Sequence, residues 1–198
     1  RYYNLANAEA ITLSGQVSIR WIEQRMNKYL NKILKTEDED YVIASDTDSI
    51  YLNLGPLVET VYKGREKTPS SIVSFLNKVC EVELEKYITS SYEALATYVG
   101  AYEQKMIMKR ENIANKGIWT AKKRYILNVW DSEGVRYEKP KLKIMGIEAV
   151  KSSTPAACRN SIRDCLTVIM NEDEEAAQKF VADFKAHFDE LPIEDISF

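Results

Sequence analysis

The stretch YVIASDTDSIYLNL, Tyr41 to Leu54, places two β-branched and aromatic runs on either side of Ser45–Ser49. Runs of this kind pack well on a pleated surface, and the polar link between them is short, so the pattern predicts a β-hairpin over Tyr41–Ala44 and Ile50–Leu54. Asp46 and Asp48 stand at its tip. Residues two apart on an extended segment share a face, and a tight turn would also converge them. Two carboxylates so close repel unless water or a cation neutralises them. Mg²⁺ is commonly held by one or two carboxylates together with substrate phosphates. Asp and Ser are equally ordinary turn residues, so the pair alone leaves a solvated turn and a metal cradle both open.

On either side of the hairpin the apolar period is helical. Leu5, Ala8, Ile11, Ile19, Ile22, Met26, Tyr29 and Ile33 trace one stripe of a helix over Asn4–Thr36, with Gly15 as its weak point or a place of close packing. GPLVETVYKGREKT reads as a connecting segment. Thr68 and Pro69 then form an N-cap with proline at the first helical position, opening a helix to about Val99. Ile72, Phe75, Val79, Leu84, Ile88, Tyr92 and Leu95 should face its core. Beyond Gly100 the period changes to two. QKMIMKRENI and TAKKRYILNVWD alternate, DSEG at 131–134 is a turn, and VRYEKPKLKIMGIE supplies a further strand with Pro140 at an edge or bend. Thr154–Pro155 repeats the helix cap, and Asn171 with Glu174 resembles a capping box before a last helix carrying Phe180, Phe184 and Phe188. Strands clustered between helices predict an α+β fold, with an antiparallel sheet covered on one face by long helices.

Composition narrows the chemistry. The 198 residues hold one histidine, His187, in an acidic helical tail, and three cysteines, Cys80, Cys158 and Cys165, without metal-ligand spacing. Zinc chemistry and histidine acid–base catalysis are poor fits, and reduced thiols in a cytosol-like compartment are expected. No apolar run is long enough to cross a membrane, and no signal-peptide pattern opens the chain. A chain beginning at Arg1 is expected to be a piece of a longer one. The net charge is −3, yet Lys105 to Lys151 carries 12 Lys and Arg against 5 Asp and Glu. That asymmetry suits a polyanion lying on one part of the molecule. At its centre is KKRY, Lys122 to Tyr125. Three adjacent cations on one strand would send at least one toward the buried face. A phosphate backbone across that face would relieve this, and Tyr125 could pack on a sugar or base. Lysines snorkelling over a wet sheet face are the plainer alternative.

SDTDS before an apolar strand, with KKRY following, resembles the palm of family B DNA polymerases. KKRYILNVWDSEGVRYEKPKLKIMGIEAVKSSTP is similar to the replicative polymerases of T-even-type phages. RYYNLANAEAITLSGQVSIRWIEQRMNKYLN resembles the segment after their fingers helix. The resemblance covers Arg1 to about Cys165 in the family's order. It implies palm over 1–150 and the beginning of the thumb over 151–198. It implies that Asp48 and Asp46 are catalytic and hold Mg²⁺ (two ions in a complete site, Mn²⁺ as an alternative), with Glu111 near the metals through water. Thr47 and Ser49 would support the hairpin beside the incoming dNTP. Lys122, Lys123, Arg124, Tyr125 and Lys151 would hold primer–template DNA, in two-metal nucleotidyl transfer to a primer 3′-hydroxyl. The implied setting is the cytoplasm of an infected bacterium, without a membrane partner.

Two departures stand out. Ala44 and Ser45 replace an aromatic and a glycine that the family writes before Asp-Thr-Asp, so the turn geometry is in question. The family's other palm aspartate and its fingers lysine have no counterpart here. The chain is therefore expected to need an N-terminal portion and to be inactive alone. Two other readings compete: a nucleic-acid-binding module whose acids only make a turn, and a haloacid-dehalogenase-like phosphohydrolase. The second wants Thr or Val where Ile50 stands, and alternating βαβ units.

Overall fold

A computed structural model describes residues 4–197. It is α+β, with long helices and antiparallel sheets. The chain divides into two compact units between Glu111 and Asn112.

The first unit opens with α1 (Leu5–Leu34), capped by the Asn4 side chain on the Asn7 N–H and closed by Lys35 in a left-handed conformation. Its stripe divides. Ile22 and Met26 are fully buried, joined by Leu30 from outside the expected stripe, while Leu5, Ile11 and Ile33 are exposed. Gly15 lies in open space, so close packing does not explain it. β1 (Val42–Asp46) and β2 (Ser49–Leu52) form the expected hairpin, pairing up to Asp46 opposite Ser49. A short helix, α2 (Gly55–Val61), occupies what reads in sequence as a linker. The proline there breaks nothing, because it sits in the first turn, where its missing N–H has no intrahelical acceptor.

The long helix expected after Thr68 is present, with Thr68 Oγ1 accepting the Ser71 N–H at 3.3 Å. It is interrupted. α3 (Pro69–Val79) passes through a π-helical turn at Cys80–Leu84 into α4 (Glu85–Tyr98). One residue more in that turn rotates the apolar stripe, so Val73 is buried in α3 and Leu84, Ile88, Tyr92 and Leu95 beyond it. These residues close one core with Ile22, Met26, Leu30, Tyr41 and Val42. Of residues 104–113, read as a strand, only Asn112 and Ile113 belong to one, and 104–111 lie outside any strand. Their alternation reflects one-sided packing, with Met108 against the core and the Arg110 N–H donating to Glu85 Oε1 at 3.0 Å.

The second unit begins with an antiparallel meander, β3 (Asn112–Ala121), β4 (Arg124–Ser132) and β5 (Val135–Met145), with β4 central. Glu133 and Gly134 make the turn into β5, both at positive φ, the form whose twist suits a hairpin. Pro140 lies on the edge strand β5, in an irregular stretch between the Asp131–Arg136 and Val129–Lys141 pairs, where no ladder bond is demanded of it. After a 3-10 turn at Glu148–Val150 come α5 (Ala156–Asn171), α6 (Glu174–Phe188) and α7 (Ile193–Ile196). Ile126, Ile147, Ala149 and Met170 form this unit's core, with Leu142, Ile144, Ile162 and Leu166 against it.

Two expected caps are displaced. Pro155, not Thr154, is the residue before α5 and offers no side-chain acceptor. Asp173, not Asn171, caps α6, accepting the Ala176 N–H at 2.9 Å. In both cases the preceding segment runs further than the capping residue types alone suggest. Among the described residues no helix is long and apolar enough to cross a membrane.

Candidate functional site

The Asp46–Asp48 hairpin is seated by α1. Asn27 Oδ1 accepts the N–H groups of Tyr41 and Val42 at 2.9 and 3.0 Å, and its Nδ2 donates to Asp40 Oδ1 at 2.7 Å. One turn later Asn31 Nδ2 donates to the Glu39 carbonyl at 2.7 Å, while Asn31 Oδ1 accepts the Glu39 N–H at 3.1 Å. Two asparagines thus fasten the chain entering β1 to a buried stripe. Asparagine is a weak helix former, and two of them four apart inside a long helix are the trace this role leaves in the sequence.

The tip is strained. The Asp48 N–H donates to the Asp46 carbonyl at 2.7 Å across Thr47, whose φ is +55°. That is a γ-turn in its rare positive-φ form, and it is centred on a β-branched residue, for which left-handed backbone is an outlier. Such conformations cost about 1–3 kcal/mol and persist where surrounding structure enforces them. Here the enforcement includes Thr47 Oγ1 donating to Asp46 Oδ1 at 2.9 Å and Ser49 Oγ donating to the Asp46 carbonyl at 3.1 Å. Ser45, which stands where the resembled polymerases write glycine, has no left-handed φ; its hydroxyl lies 3.5 Å from Glu23 Oε2. Serine therefore meets no backbone obstacle there.

Asp46 is half-buried and Asp48 exposed, and neither forms an ion pair with a described residue. An exposed carboxylate two residues from a half-buried one suits a divalent cation that keeps waters and phosphate oxygens as its other ligands. Among the described residues no group of three His, Cys, Asp or Glu converges as a metal site. Glu111 therefore does not complete one with the two aspartates. Its carbonyl accepts from Arg110 Nη1 at 3.2 Å, and Arg110 also bonds Asn77 on α3.

In the second unit Lys122 and Lys123 are the turn between β3 and β4, not residues within a strand. Both are exposed, and Lys123 has a φ of +60°. The difficulty of three cations on one strand is thus removed locally, because a two-residue turn leaves the pleat. Arg124 opens β4 and is already paired: its Nη2 lies 2.6 and 2.8 Å from the two Glu148 carboxylate oxygens. Lys151 Nζ donates to the same carboxylate at 2.9 Å. The Lys151 ammonium, the residue's own backbone N–H and the Arg124 charge hold the Glu148 carboxyl down at about 2. Tyr125 is 8% exposed beside Trp119, 6.4 Å between ring centroids. Its ring is sheet core more than open platform.

Glu148 and Gly146 are absent from the sequence-based candidates. Gly146 has a φ of +66°, and a Cβ there would lie 2.3 Å from the Lys123 carbonyl oxygen. A glycine two residues before an acid, following a lysine-rich strand, was the available signal.

No family model matches the chain. Over 199 residues it is 41% identical to the DNA-directed DNA polymerase of Enterobacteria phage T4, covering 96% of this chain and 22% of that protein. It is 42% identical over 182 residues to the DNA-directed DNA polymerase of Escherichia phage RB69, covering 88% of this chain and 20% of that one. The chain spans about a fifth of the length of the curated relatives it matches.

Proposed function

We propose, for a chain whose sequence belongs with the T-even-type family B DNA polymerases, that it carries one side of a DNA polymerase active site and part of its primer–template grip. The observation that carries this reading is 41% identity through 96% of the chain. The Asp46–Asp48 tip, with Asp48 exposed, and the exposed Lys122–Lys123 turn lend it chemistry.

In this reading Asp48 is the principal ligand of a divalent cation, Mg²⁺ before Mn²⁺. Asp46, tied to Thr47, shapes the turn and adds negative charge. Thr47 and Ser49 hold that shape beside the bound dNTP. When bound, the metal supplies activation of the primer 3′-hydroxyl and stabilisation of the charge on the leaving pyrophosphate. Lys122 and Lys123 meet backbone phosphates, Arg124 and Tyr125 support that turn from β4, and Lys151 adds a cation as the chain leaves the sheet. Transfer of a nucleotidyl group is mostly alignment and charge stabilisation, so carboxylates and lysines suffice without a histidine. Glu111 acts at longer range, through solvent. Residues 1–150 are palm and 151–198 the start of the thumb, although α5 shares one core with the sheet across that boundary. The remaining palm aspartate and the fingers come from polymerase sequence outside these 198 residues, and the chain alone does not extend primers. Its place of action is the cytoplasm of the infected bacterium.

The test is a T4 polymerase in which these residues replace the aligned stretch, assayed for primer extension with and without Asp48→Ala. Loss of a metal-holding carboxylate removes several kcal/mol of charge stabilisation, so extension should fall about 10³-fold or more while duplex binding persists. The hydrogen bonds that Thr47 and Ser49 donate to Asp46 within the turn favour a second reading, a DNA-binding module whose acids only form a turn. An active chimaera indifferent to Asp48→Ala would establish that alternative.

A further inference from the structure

We propose that Glu148 is a positioning residue for the DNA grip, binding Arg124 and Lys151 into one ion-pair triad so that the β3–β4 turn and the chain entering α5 meet a nucleic-acid backbone as a single unit. The proposal rests on the reading of Lys122–Tyr125 and Lys151 as DNA contacts, and adds the residue that joins them.

Three features of the second unit carry it. Both Glu148 oxygens engage Arg124 Nη2, at 2.8 and 2.6 Å, while Oε1 also receives Lys151 Nζ at 2.9 Å. The carboxylate is itself fixed: Ile147 beside it is 9% exposed in the core, and the 3-10 turn is closed by Lys151 N–H to the Glu148 carbonyl at 3.2 Å. Gly146, two residues earlier, lets the Lys123 carbonyl pass where any side chain would stand. Gly146-Ile147-Glu148 therefore grips the basic turn three ways, by backbone contact, by core burial and by charge.

The triad's placement argues against a purely stabilising role. Its side chains are 41–46% exposed, and exposed ion pairs contribute little to stability. What the carboxylate does supply is order in two long cations that otherwise sample many rotamers. It also cancels one of their two charges. Holding cations in register while lowering local charge favours a specific seat over indiscriminate attraction to phosphate.

The experiment measures binding of the 198-residue chain to two labelled DNAs of equal length, one with a recessed 3′ end and one blunt, from about 50 to 200 mM salt. Glu148→Gln is close to isosteric and removes the negative charge that both cations share. It should bind blunt duplex more tightly at low salt, with a log–log salt slope steeper by about 0.9 for the extra phosphate neutralised. Its preference for the recessed end should fall at least threefold. Lys151→Met should make the slope shallower by a similar amount. Circular dichroism melting of each variant checks the fold. An unchanged slope in Glu148→Gln, or parallel loss of both affinities, overturns the proposal, as does a wild-type chain indifferent to the recessed end. Lys122→Ala combined with Lys123→Ala separates the two levels. If that pair leaves all binding intact, the DNA reading itself fails, whatever Glu148 does.

Discussion

Replacing Gly146 with alanine should loosen the second unit and leave the first alone. Two costs add. The residue sits at φ +66°, where an L side chain is disfavoured by roughly 1–2 kcal/mol. Its new Cβ would also lie 2.3 Å from the Lys123 carbonyl oxygen. That obstacle is backbone, in a turn pinned on both sides by paired strands, so it cannot swing away. Overpacking of this kind typically costs about 1–3 kcal/mol. The reduced freedom of the unfolded chain returns about 0.4–1 kcal/mol. The net expectation is about 2–4 kcal/mol, or roughly 30- to 1,000-fold faster exchange of globally protected amides. Hydrogen exchange read by mass spectrometry should place that acceleration in β3, β4 and β5, with α1 peptides unaltered. Acceleration below about threefold in β4, or an equal change in α1, would refute the reasoning. Gly117 makes a useful contrast. A Cβ there meets the Trp119 ring at 2.7 Å and a Leu127 methyl at 2.9 Å, side chains that can yield, so Gly117→Ala should cost less.

Met26 is fully buried between α1 and its neighbours, so Met26→Ala should destabilise the first unit by about 2–5 kcal/mol. Urea unfolding checks this, and Ile11→Ala, at a 75% exposed site, should move it by less than about 0.5 kcal/mol. The Glu148 carboxyl, depressed to about 2 first by the Lys151 hydrogen bond, contributes above the unfolded range near 4.5 and loses that contribution as pH falls toward 2. Carboxyl NMR should follow this midpoint and find it raised in Lys151→Met; an unmoved midpoint would rule out the triad. Burial pushes the Cys80 thiol up to about 11, against the opposing pull of Arg110. Its alkylation rate should keep climbing beyond pH 9, and a plateau near 9 would contradict that burial.

Much of the fold follows from local pattern. The helical period of α1 through Ile22 and Met26, the hairpin around Asp46–Asp48, the Thr68 cap and the Glu133–Gly134 turn depend on neighbours within one or two turns of chain. Ile33, expected in the stripe, is instead 45% exposed, and Leu30 is buried in its place. The misreadings share a cause. GPLVETV looks like a linker because proline is a breaker in general, yet in a first turn it is an ordinary helical residue. Gln104–Arg110 alternates like a strand, but period two reports one-sided burial and says nothing about a hydrogen-bonding partner. Lys122–Lys123 alternates with its surroundings and is nonetheless the turn, since charge pattern alone does not mark where a strand reverses. The π-helical turn at Cys80–Leu84 leaves no compositional trace.

The sequence by itself determined the kinship with phage DNA polymerases, the Asp-Thr-Asp between two strands, and the concentration of positive charge from Lys105 to Lys151. Motif order and local spacing are properties of the chain, and they survive without coordinates. Tertiary structure decided how those residues are held. It placed Thr47 in a strained turn between the aspartates, brought Asn27 and Asn31 onto the backbone entering β1, and paired Arg124 with Glu148 across 24 residues. Hydrogen bonds and ion pairs depend on separations of about 3 Å in space. Sequence distance carries almost no information about those separations once the chain has turned back on itself.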